Sequence, residues 1–569
     1  YPFERQRYWL VNQDQDTSQQ RWQRATQTAL SQSKIVPIGM KVEAFGAAWE
    51  ALERLTIAEI LQTLGGLGAF AKAGVSHDAK SLIDSCGILP AHTKLMGQWL
   101  QLLSKAGYLE RDGARFLMPV VHPAANLDQA WRDAERCLQD DPFLLEYLRN
   151  CSKHLRGVLL GTTSPLETLF PGGSPDLARN LYENSSAARY ANLIVAAAVK
   201  AVVDAAPTKR RLQILELGGG TGATTAAVLP GLSGDRVSYH FTDVSGVFLE
   251  RAGARFATYP FVRYGLLDIE NETHLAPRRG SFDVVIAANV VHATKNLQTT
   301  LSGIASLLAP GGVMILLETT QSFAWHDIST GLIEGWQKSD DDVRAGVALL
   351  GVPEWTSALQ AAGLDQIVSA PEPESAAGIL GLHVILARAA MAGTAVGLQS
   401  GGTLTIADVP QESAWGDTSS FAAAMPNSEA AIAIGALLQE VPQSERRELL
   451  LDIVVKEIAQ VLRLGPGALP KKRDRLMDLG MDSLMAVELR NRLSKLLGVD
   501  SLPATLIFDY PTPDAIAGYL LTRLQGESSS EPARESSSLP VGGEKLLTAE
   551  EVADLSEEDV AELLRSRLA

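Results

Sequence analysis

Cysteine is scarce in this sequence, and long apolar runs and excess positive charge are missing. Its three cysteines, Cys86, Cys137 and Cys151, are spaced neither as a metal site nor as a disulfide framework. We therefore expect a reducing, cytoplasmic setting and no bound metal. No apolar run reaches the length of a membrane span, and the N-terminus lacks the pattern of a signal peptide. The net charge of −16 disfavours nucleic acids and membrane surfaces as partners.

The residue composition and periodicity change several times along the chain, as expected for about three or four domains in 569 residues. Residues 11–33 are polar and rich in glutamine, which predicts a surface connector. Helical periodicity dominates from about residue 38 to residue 205. Residues 392–430 are rich in Gly, Ser, Thr, Ala and Pro and indicate a linker.

Between residues 211 and 388, short apolar runs alternate with helical stretches. The runs are LQILELGGG, VSYHFTDV, VRYGLLDI, FDVVIAANVV, GGVMILLET and GLHVILARA. Strands separated by helices at this rhythm predict an α/β fold, with a mostly parallel sheet covered on both faces.

Glycines and acids follow the first three of these runs. Gly218, Gly220 and Gly222 lie between an apolar run and a helical stretch, where a backbone turns sharply or a ligand approaches it closely. A glycine triplet alone is weak evidence, because plain turns produce the same pattern. Asp243 and Asp268 end the next two runs, where a carboxylate can bind a ribose or lie near an adenine. Either acid alone is more simply a helix cap, but the three strand ends together favour a nucleotide-like ligand.

A histidine follows the fourth run, in the stretch NVVHAT. A lone histidine there is most simply a satisfied strand-end residue. However, His292 falls at the edge of the predicted sheet where ligands bind, and the next run ends in Glu318. A carboxylate that binds one ring nitrogen orients the imidazole and raises the basicity of the other nitrogen. The spacing therefore predicts a general base, His292, oriented by Glu318.

Taken together, LELGGGTGATT, FTDVS, LLDIE and FDVVIAANVVHAT resemble the successive motifs of class I S-adenosylmethionine-dependent methyltransferases. More narrowly they resemble the methyltransferase domains of modular polyketide synthases, as do LYENSSAARYANLIV and GLIEGWQ. The resemblance spans residues 40–390. It implies a Rossmann-like, mostly parallel seven-stranded sheet with an N-terminal helical lid, and S-adenosylmethionine as methyl donor.

This resemblance also assigns roles to residues. It implies catalysis by His292 and Glu318. It places the donor against Glu216, Gly218, Gly220, Gly222, Asp243, Asp268 and Asn289. Weaker candidates for the lid or the wall of an acyl pocket are Tyr182, Trp325, His326 and Trp336, each of which simple packing also explains.

Near the C-terminus, the stretch DRLMDLGMDSLMAVELRNRLSKLLG places Ser483 at the start of a predicted helix. Such a serine is usually a helix cap. Here the stretch, with the later IFDYPTP, resembles the acyl carrier proteins of polyketide synthases, all-α four-helix domains in which DSL marks phosphopantetheine attachment. The resemblance implies covalent 4′-phosphopantetheine on Ser483, and the positive end of a helix dipole tolerates that phosphate.

These likenesses predict an order of segments. YPFERQRYWL resembles the linker after acyltransferase domains, and the final acidic stretches resemble either docking helices or merely solvated amphipathic ends. The expected limits are a linker tail at 1–20, a helical lid region at 21–185, a donor-binding core at 186–390, a flexible linker at 391–440, an acyl carrier domain at 441–526, and a disordered tether with docking-like helices at 527–569.

The resulting hypothesis is methyl transfer to the α-carbon of a carrier-bound β-ketoacyl chain, with upstream ketosynthase and acyltransferase domains and a downstream synthase subunit as expected partners. No room remains between residues 390 and 445 for a ketoreductase or dehydratase, so the chain should keep its β-keto group. Methylation of the enol oxygen, or of a β-hydroxyl, stays open. So does an inactive scaffold with only a carrier and docking role. A methyltransferase for free small molecules is disfavoured by the fused carrier.

Overall fold

The computed structural model describes residues 13–70, 75–119, 125–333, 344, 349–391, 446–462, 464, 469–476, 479, 481, 483–497, 502 and 506–527. Residues 1–12 of the predicted N-terminal linker tail, most of the linker before the carrier, the C-terminal helices and Trp336 lie outside the described residues. The chain divides into two compact units, Tyr1–Tyr519 and Leu520–Ala569. Of the second unit, the structure describes only the end of one helix.

Helices dominate the N-terminal part, as the periodicity predicts. They are α1 (Gln13–Gln32), α2 (Phe45–Gly66), α3 (Ala79–Cys86), α4 (Thr93–Lys105), α5 (Leu127–Cys137), α6 (Pro142–Leu159), α7 (Asp176–Arg179) and α8 (Ser186–Ala205). The local sequence explains where two of these helices begin. Asp78 caps α3 through the Ser81 amide, and α6 begins at Pro142 after its cap Asp141.

A small antiparallel sheet interrupts these helices, and the sequence did not predict it. Its strands are β1 (Ser76–His77), β2 (Glu110–Asp112) and β3 (Arg115–Leu117), in the order β1-β3-β2. Strands of two or three residues are too short to show an alternating pattern, so periodicity could not reveal them.

Helix α1 overturns the prediction of a surface connector at residues 11–33. Trp22 is 5% exposed, and Ala25 and Ala29 are fully buried in the core that also contains α8. Arg21 forms an ion pair with Asp283 at 3.2 Å, with both side chains at most 6% exposed. The polar composition misled because one narrow stripe of the helix is apolar, and that stripe is buried against the rest of the fold.

The central sheet has seven strands in the order β6-β5-β4-β7-β8-β10-β9. Their bounds are β4 (Leu212–Leu217), β5 (Val237–Asp243), β6 (Val262–Leu266), β7 (Phe282–Ala288), β8 (Leu308–Thr319), β9 (Leu364–Ala370) and β10 (Leu382–Ala389). The pairs among β4 to β8 are parallel, whereas β10 is antiparallel to both β8 and β9. Six strands coincide with the apolar runs. The seventh, β9, is a half-buried edge strand, and the sequence did not predict it because it lacks a continuous apolar run.

Helices cover both faces of this sheet. Between the strands lie α9 (Ala223–Val228), α10 (Gly246–Arg255), α11 (Glu272–Leu275), α12 (Leu297–Leu307) and α13 (Val352–Ala361). In β7, Val284 and Ile286 belong to the core under α8, while Val285 and Ala287 belong to the core under α12. Helix α8 is long and apolar enough to cross a membrane by length and composition, but half of that span is buried and it contributes to the core beside the sheet.

Four helices are described in the carrier region. They are α14 (Arg446–Val461), α15 (Ser483–Leu497), α16 (Leu506–Asp509) and α17 (Pro513–Glu527). Leu450, Val454, Leu489 and Leu493 are fully or almost fully buried, which gives this region an apolar core of its own. Helix α15 begins at Ser483, as the sequence predicts.

The packing of α1 predicts the effect of substituting Trp22. Trp22→Ala should lower the free energy of unfolding by about 3–5 kcal/mol, because it removes a large buried side chain and leaves a cavity. Urea unfolding of the full chain, followed by circular dichroism, measures the loss. Gln27→Ala, on the exposed side of the same helix, is the control and should leave the midpoint unchanged. Equal midpoints for the two variants would contradict the burial of α1.

Candidate active site

A cavity of ≈ 370 Å³ opens where the parallel strands end. Its floor comes from the ends of β4, β7 and β8 and from the glycine loop after β4. Its walls come from α2, α6, α10 and the segments on either side of α7 and after β8. Lining residues include Phe45, Trp49, Asp141, Tyr182, Glu216, Gly218, Gly220, Asn289, His292, Thr319, Trp325 and His326. Ligands of open α/β sheets bind at this edge because the strands and the following loops diverge there.

His292 and Glu318 meet in this cavity. His292 Nδ1 lies 2.7 Å from Glu318 Oε2, and the two side chains are 9% and 0% exposed. Glu318 Oε1 also accepts a hydrogen bond from the Val291 amide at 3.2 Å. A carboxylate only accepts, so a neutral His292 donates from Nδ1 and carries its lone pair on Nε2. The geometry is that of a base and the group that orients it.

The turn that carries His292 is held on several sides. Asn289 adopts φ +53°, a left-handed conformation that Asn tolerates better than most residues. Its backbone N–H donates to Leu317 O at 2.7 Å. Arg344, 2% exposed, donates to the carbonyl oxygens of His292, Thr294 and Lys295 at 2.6–2.9 Å. Glu318 therefore holds the ring of His292, and Arg344 holds its backbone.

The glycine loop provides space rather than side chains. Gly218 and Gly222 have positive φ, and a Cβ at either would lie within 2.7 Å of Val290 or Phe256. At Gly220, also with positive φ, a Cβ would meet nothing closer than a backbone oxygen at 3.8 Å. Because Gly220 lines the cavity, its bare backbone leaves room for a ligand to approach.

The predicted acids at the strand ends occupy different positions. Glu216 lines the cavity, accepts hydrogen bonds from Thr225 at 2.5 Å and Tyr239 at 2.7 Å, and has its pKa raised by burial to about 7. Asp243 accepts from the amides of Gly220 and Ser245, which ties β5 to the glycine loop.

Three of the predicted donor contacts do not line the cavity. They are Gly222, Asp243 and Asp268. Asp268 is half-buried and accepts from the Glu270 amide at 2.9 Å, in the manner of a turn residue. Their roles in binding the donor stay predictions.

Aromatic residues form the wall opposite the sheet. Burial raises the pKa of Tyr182 to about 12, so its phenol is protonated at neutral pH. Burial, with a smaller effect of nearby His292, lowers the pKa of His326 to about 3. Its Nδ1 accepts from the Phe323 amide at 3.2 Å, which leaves a proton on Nε2. Among the described residues, the indole Nε1 of Trp325 has no hydrogen-bond partner.

Sequence reasoning missed several residues of this cavity. Phe45 and Trp49 come from α2, more than 160 residues before the sheet. The tilted rings of Trp49 and Phe323 pack with their centroids 4.6 Å apart, and Trp49 Nε1 donates to Ile379 O at 2.8 Å. No local signal separates these aromatics from core residues. The sequence analysis also did not single out Asp141, which lines the cavity, or Arg344, which binds the backbone of the His292 turn.

Comparisons with known proteins agree with this architecture. A profile described as a methyltransferase domain matches residues 215–314, and one described as a phosphopantetheine attachment site matches residues 452–520. The polyketide synthase ThaG of Burkholderia thailandensis is 30% identical over 81% of this chain and 8% of its own length. The non-reducing polyketide synthase trt4 of Aspergillus terreus is 33% identical over 50% of this chain and 12% of its own length. The chain thus spans about a tenth of these curated relatives.

Two solved structures match the methyltransferase part of this chain. The CurJ carbon methyltransferase shares 32% identity and a TM-score of 0.61, covering 65% of this chain and 99% of its own. The DszA carbon methyltransferase shares 29% identity and a TM-score of 0.58, covering 64% of this chain and 96% of its own. The chain belongs to the methyltransferase family. It joins a methyltransferase domain to a carrier domain and is similar to polyketide synthases, so the predicted family, fold class and enzyme class are confirmed.

Both predicted cofactors follow from this membership. The methyltransferase domain uses S-adenosylmethionine, and the carrier domain uses 4′-phosphopantetheine. The residues present fit the donor, because the open backbone of Gly220 and the polar edge at Glu216 and Asn289 line one side of the cavity. Ser483, at the first position of α15, stays the predicted attachment point.

The open backbone at Gly220 predicts a selective loss of donor binding. Gly220→Asp should abolish the binding of S-adenosylmethionine, because a carboxylate would extend from this backbone into the cavity. Calorimetry with the full chain measures binding. Gly280→Asp is the matched control, because Gly280 also has positive φ with open space around it but lies on the exposed surface. Retained binding in Gly220→Asp would show that the donor lies elsewhere.

Proposed function

We propose that this chain methylates the α-carbon of a β-ketoacyl group held by its own carrier domain. The observation that carries the proposal is the buried pair of His292 and Glu318, joined at 2.7 Å in the cavity at the sheet edge. Two structural relatives named as carbon methyltransferases support carbon as the acceptor.

The first step is removal of a proton from the carbon between the ketone and the thioester. That proton is acidic because both carbonyl groups delocalise the resulting charge. His292 is suited to take it at Nε2, since Glu318 holds the proton of Nδ1 and then faces the imidazolium that forms. Because Glu318 is fully buried, water does not weaken this stabilisation.

The developing enolate needs hydrogen-bond donors near its oxygen atoms. Neutral His326, with its proton on Nε2, and the indole of Trp325 both line the cavity. A protonated Tyr182 adds a third donor on the same wall. Donors already in place cost no reorganisation when charge develops, which is the main source of electrostatic catalysis. S-adenosylmethionine, when bound, supplies an electrophilic methyl group on its sulfonium.

The substrate and its surroundings follow from the domain order. We propose that Ser483 bears the phosphopantetheine arm, and that ketosynthase and acyltransferase domains of the same synthase supply the acyl chain. The stretch between the methyltransferase and carrier domains has no length for a reducing domain, which supports a β-keto group as the substrate. A cytoplasmic location and a downstream partner for the C-terminal helices remain predictions.

Substitutions at the pair test the base. His292→Ala should lower the single-turnover rate of methyl transfer by about 100-fold or more, as expected for loss of a general base, while donor binding persists. Glu318→Gln should have a similar effect, because its amide can donate to Nδ1 and place the proton on the wrong nitrogen. Rapid quenching and mass spectrometry measure the rate. Unchanged rates in both variants would remove His292 from this role.

The position of the methyl group is the decisive measurement. With acetoacetyl-phosphopantetheine loaded on Ser483 and S-adenosylmethionine added, we expect the carrier-bound product to contain a 2-methyl-3-oxobutanoyl group. Fragmentation of the ejected pantetheine arm identifies the methylated atom. A methyl ether would assign the same enolate to oxygen methylation, and no product despite donor binding would favour a scaffold role. Ser483→Ala is the control and should carry no arm.

A further inference from the structure

An ion pair joins the carrier to the methyltransferase. Arg490 of α15 lies 3.2 Å from Glu167 in the turn between α6 and α7, measured from Nη1 to Oε1. The two side chains are only 7% and 15% exposed. Because both side chains are largely shielded from water, reversing the charge of one partner leaves the other charge poorly compensated.

Glu167 also shapes the surface on which α15 lies. Its other oxygen, Oε2, accepts a hydrogen bond from the Gly172 amide at 2.8 Å, while Asn150 of α6 donates to the carbonyl oxygens of Glu167 and Thr168. Helix α15 contacts the turn Pro171–Gly173 that this bond closes. A single carboxylate therefore organises the turn and binds the carrier.

A cationic side chain of the methyltransferase, Arg251, also lies beside this turn. Arg251, on α10 of the methyltransferase, donates to Gly173 O at 3.2 Å. Burial lowers the pKa of Arg251, and the negative charges of Glu250, Asp176 and Glu488 oppose that effect. Glu488 lies on α15, two residues before Arg490. Glu488 itself pairs with Arg492 of the same helix at 3.8 Å, so the contact that joins the two domains here is that of Glu167 with Arg490.

This surface adjoins the cavity. Phe170, next to the turn, and Phe248, three residues before Arg251 on α10, both line the cavity and face each other at 5.9 Å between ring centroids. On the carrier side, Ser483 begins the same helix, seven residues before Arg490. Seven residues correspond to about 10 Å along a helix.

We propose that Glu167 and the turn Pro171–Gly173 form the site at which the carrier helix α15 docks, through Arg490, to deliver its acyl chain past Phe170 and Phe248. The occupant is the chain's own carrier domain. This inference rests on the proposed function only in that the carrier supplies the substrate. It is independent of whether carbon or oxygen is methylated.

The test uses two full-length chains, because a covalent tether hides weak docking by raising the local concentration of the carrier. One chain carries Ser483→Ala and supplies the methyltransferase. The other carries His292→Ala with Gly220→Asp, and supplies a carrier loaded with acetoacetyl-phosphopantetheine. The second chain alone gives the background. Gain of a methyl group on the carrier, at whichever atom, is followed by mass spectrometry.

Charge reversal should raise KM for the loaded chain. Glu167→Arg in the first chain, or Arg490→Glu in the second, should each lower kcat/KM by about tenfold or more, the effect of losing 1.4 kcal/mol of binding. Combining both reversals should recover part of the loss, because the pair is restored with opposite polarity. Lys495→Glu, an exposed position on the same helix, is the matched control and should have little effect.

Two further measurements separate docking from folding and from catalysis. Glu167→Arg should still methylate a free acetoacetyl-N-acetylcysteamine thioester at the unmodified rate, and Arg490→Glu should still accept phosphopantetheine on Ser483. A full chain with Glu167→Cys and Arg490→Cys should form an internal bis-maleimide cross-link that neither single variant forms, even if no methyl is transferred. Reversals that act no more strongly than Lys495→Glu, or no cross-link, would overturn the docking site.

Discussion

The buried carboxylate of Glu318 is the constraint on which the site depends. A charge with no exposure to water must be hydrogen-bonded from all sides, or burial becomes prohibitively unfavourable. Here the Val291 amide and the His292 ring supply those bonds from the turn after the neighbouring strand. Satisfying Glu318 therefore fixes where that turn lies. The same hydrogen bonds that satisfy the carboxylate orient the imidazole, so one contact stabilises the buried charge and positions the proposed base.

The surrounding chain adapts to that contact. The turn needs the left-handed conformation of Asn289 to leave strand β7, and Arg344 holds three of its carbonyl oxygens. The helical N-terminal region then covers the cavity, with Trp49 of α2 packed on the segment after β8. Without that cover, the strand ends would be open to water, and charges within the site would be screened. The lid thus sets the dielectric environment of the proposed catalytic pair, His292 and Glu318.

Much of the fold could be predicted because buried parallel strands leave a local trace. Six strands coincide with apolar runs, and the residues at their ends are readable once the sheet is assumed parallel. The edge strand β9, the short strands β1 to β3 and the packing of α1 left no such trace. Helix α1 in particular was misjudged, because a polar average conceals a narrow apolar stripe, and only its contacts with α8 and Asp283 reveal burial.

The sequence by itself determined the types of residue at the sheet edge: glycines where backbone must stay bare, a histidine after one strand and a glutamate at the end of the next. These follow from local pattern, because strand ends and turns are set by neighbours in the chain. Only the tertiary structure decided which distant residues close the cavity, that Asp243 braces the glycine loop, and that Glu167 meets Arg490. Such contacts join residues as far as 323 positions apart, and the local preferences that form helices and strands contain no information about them.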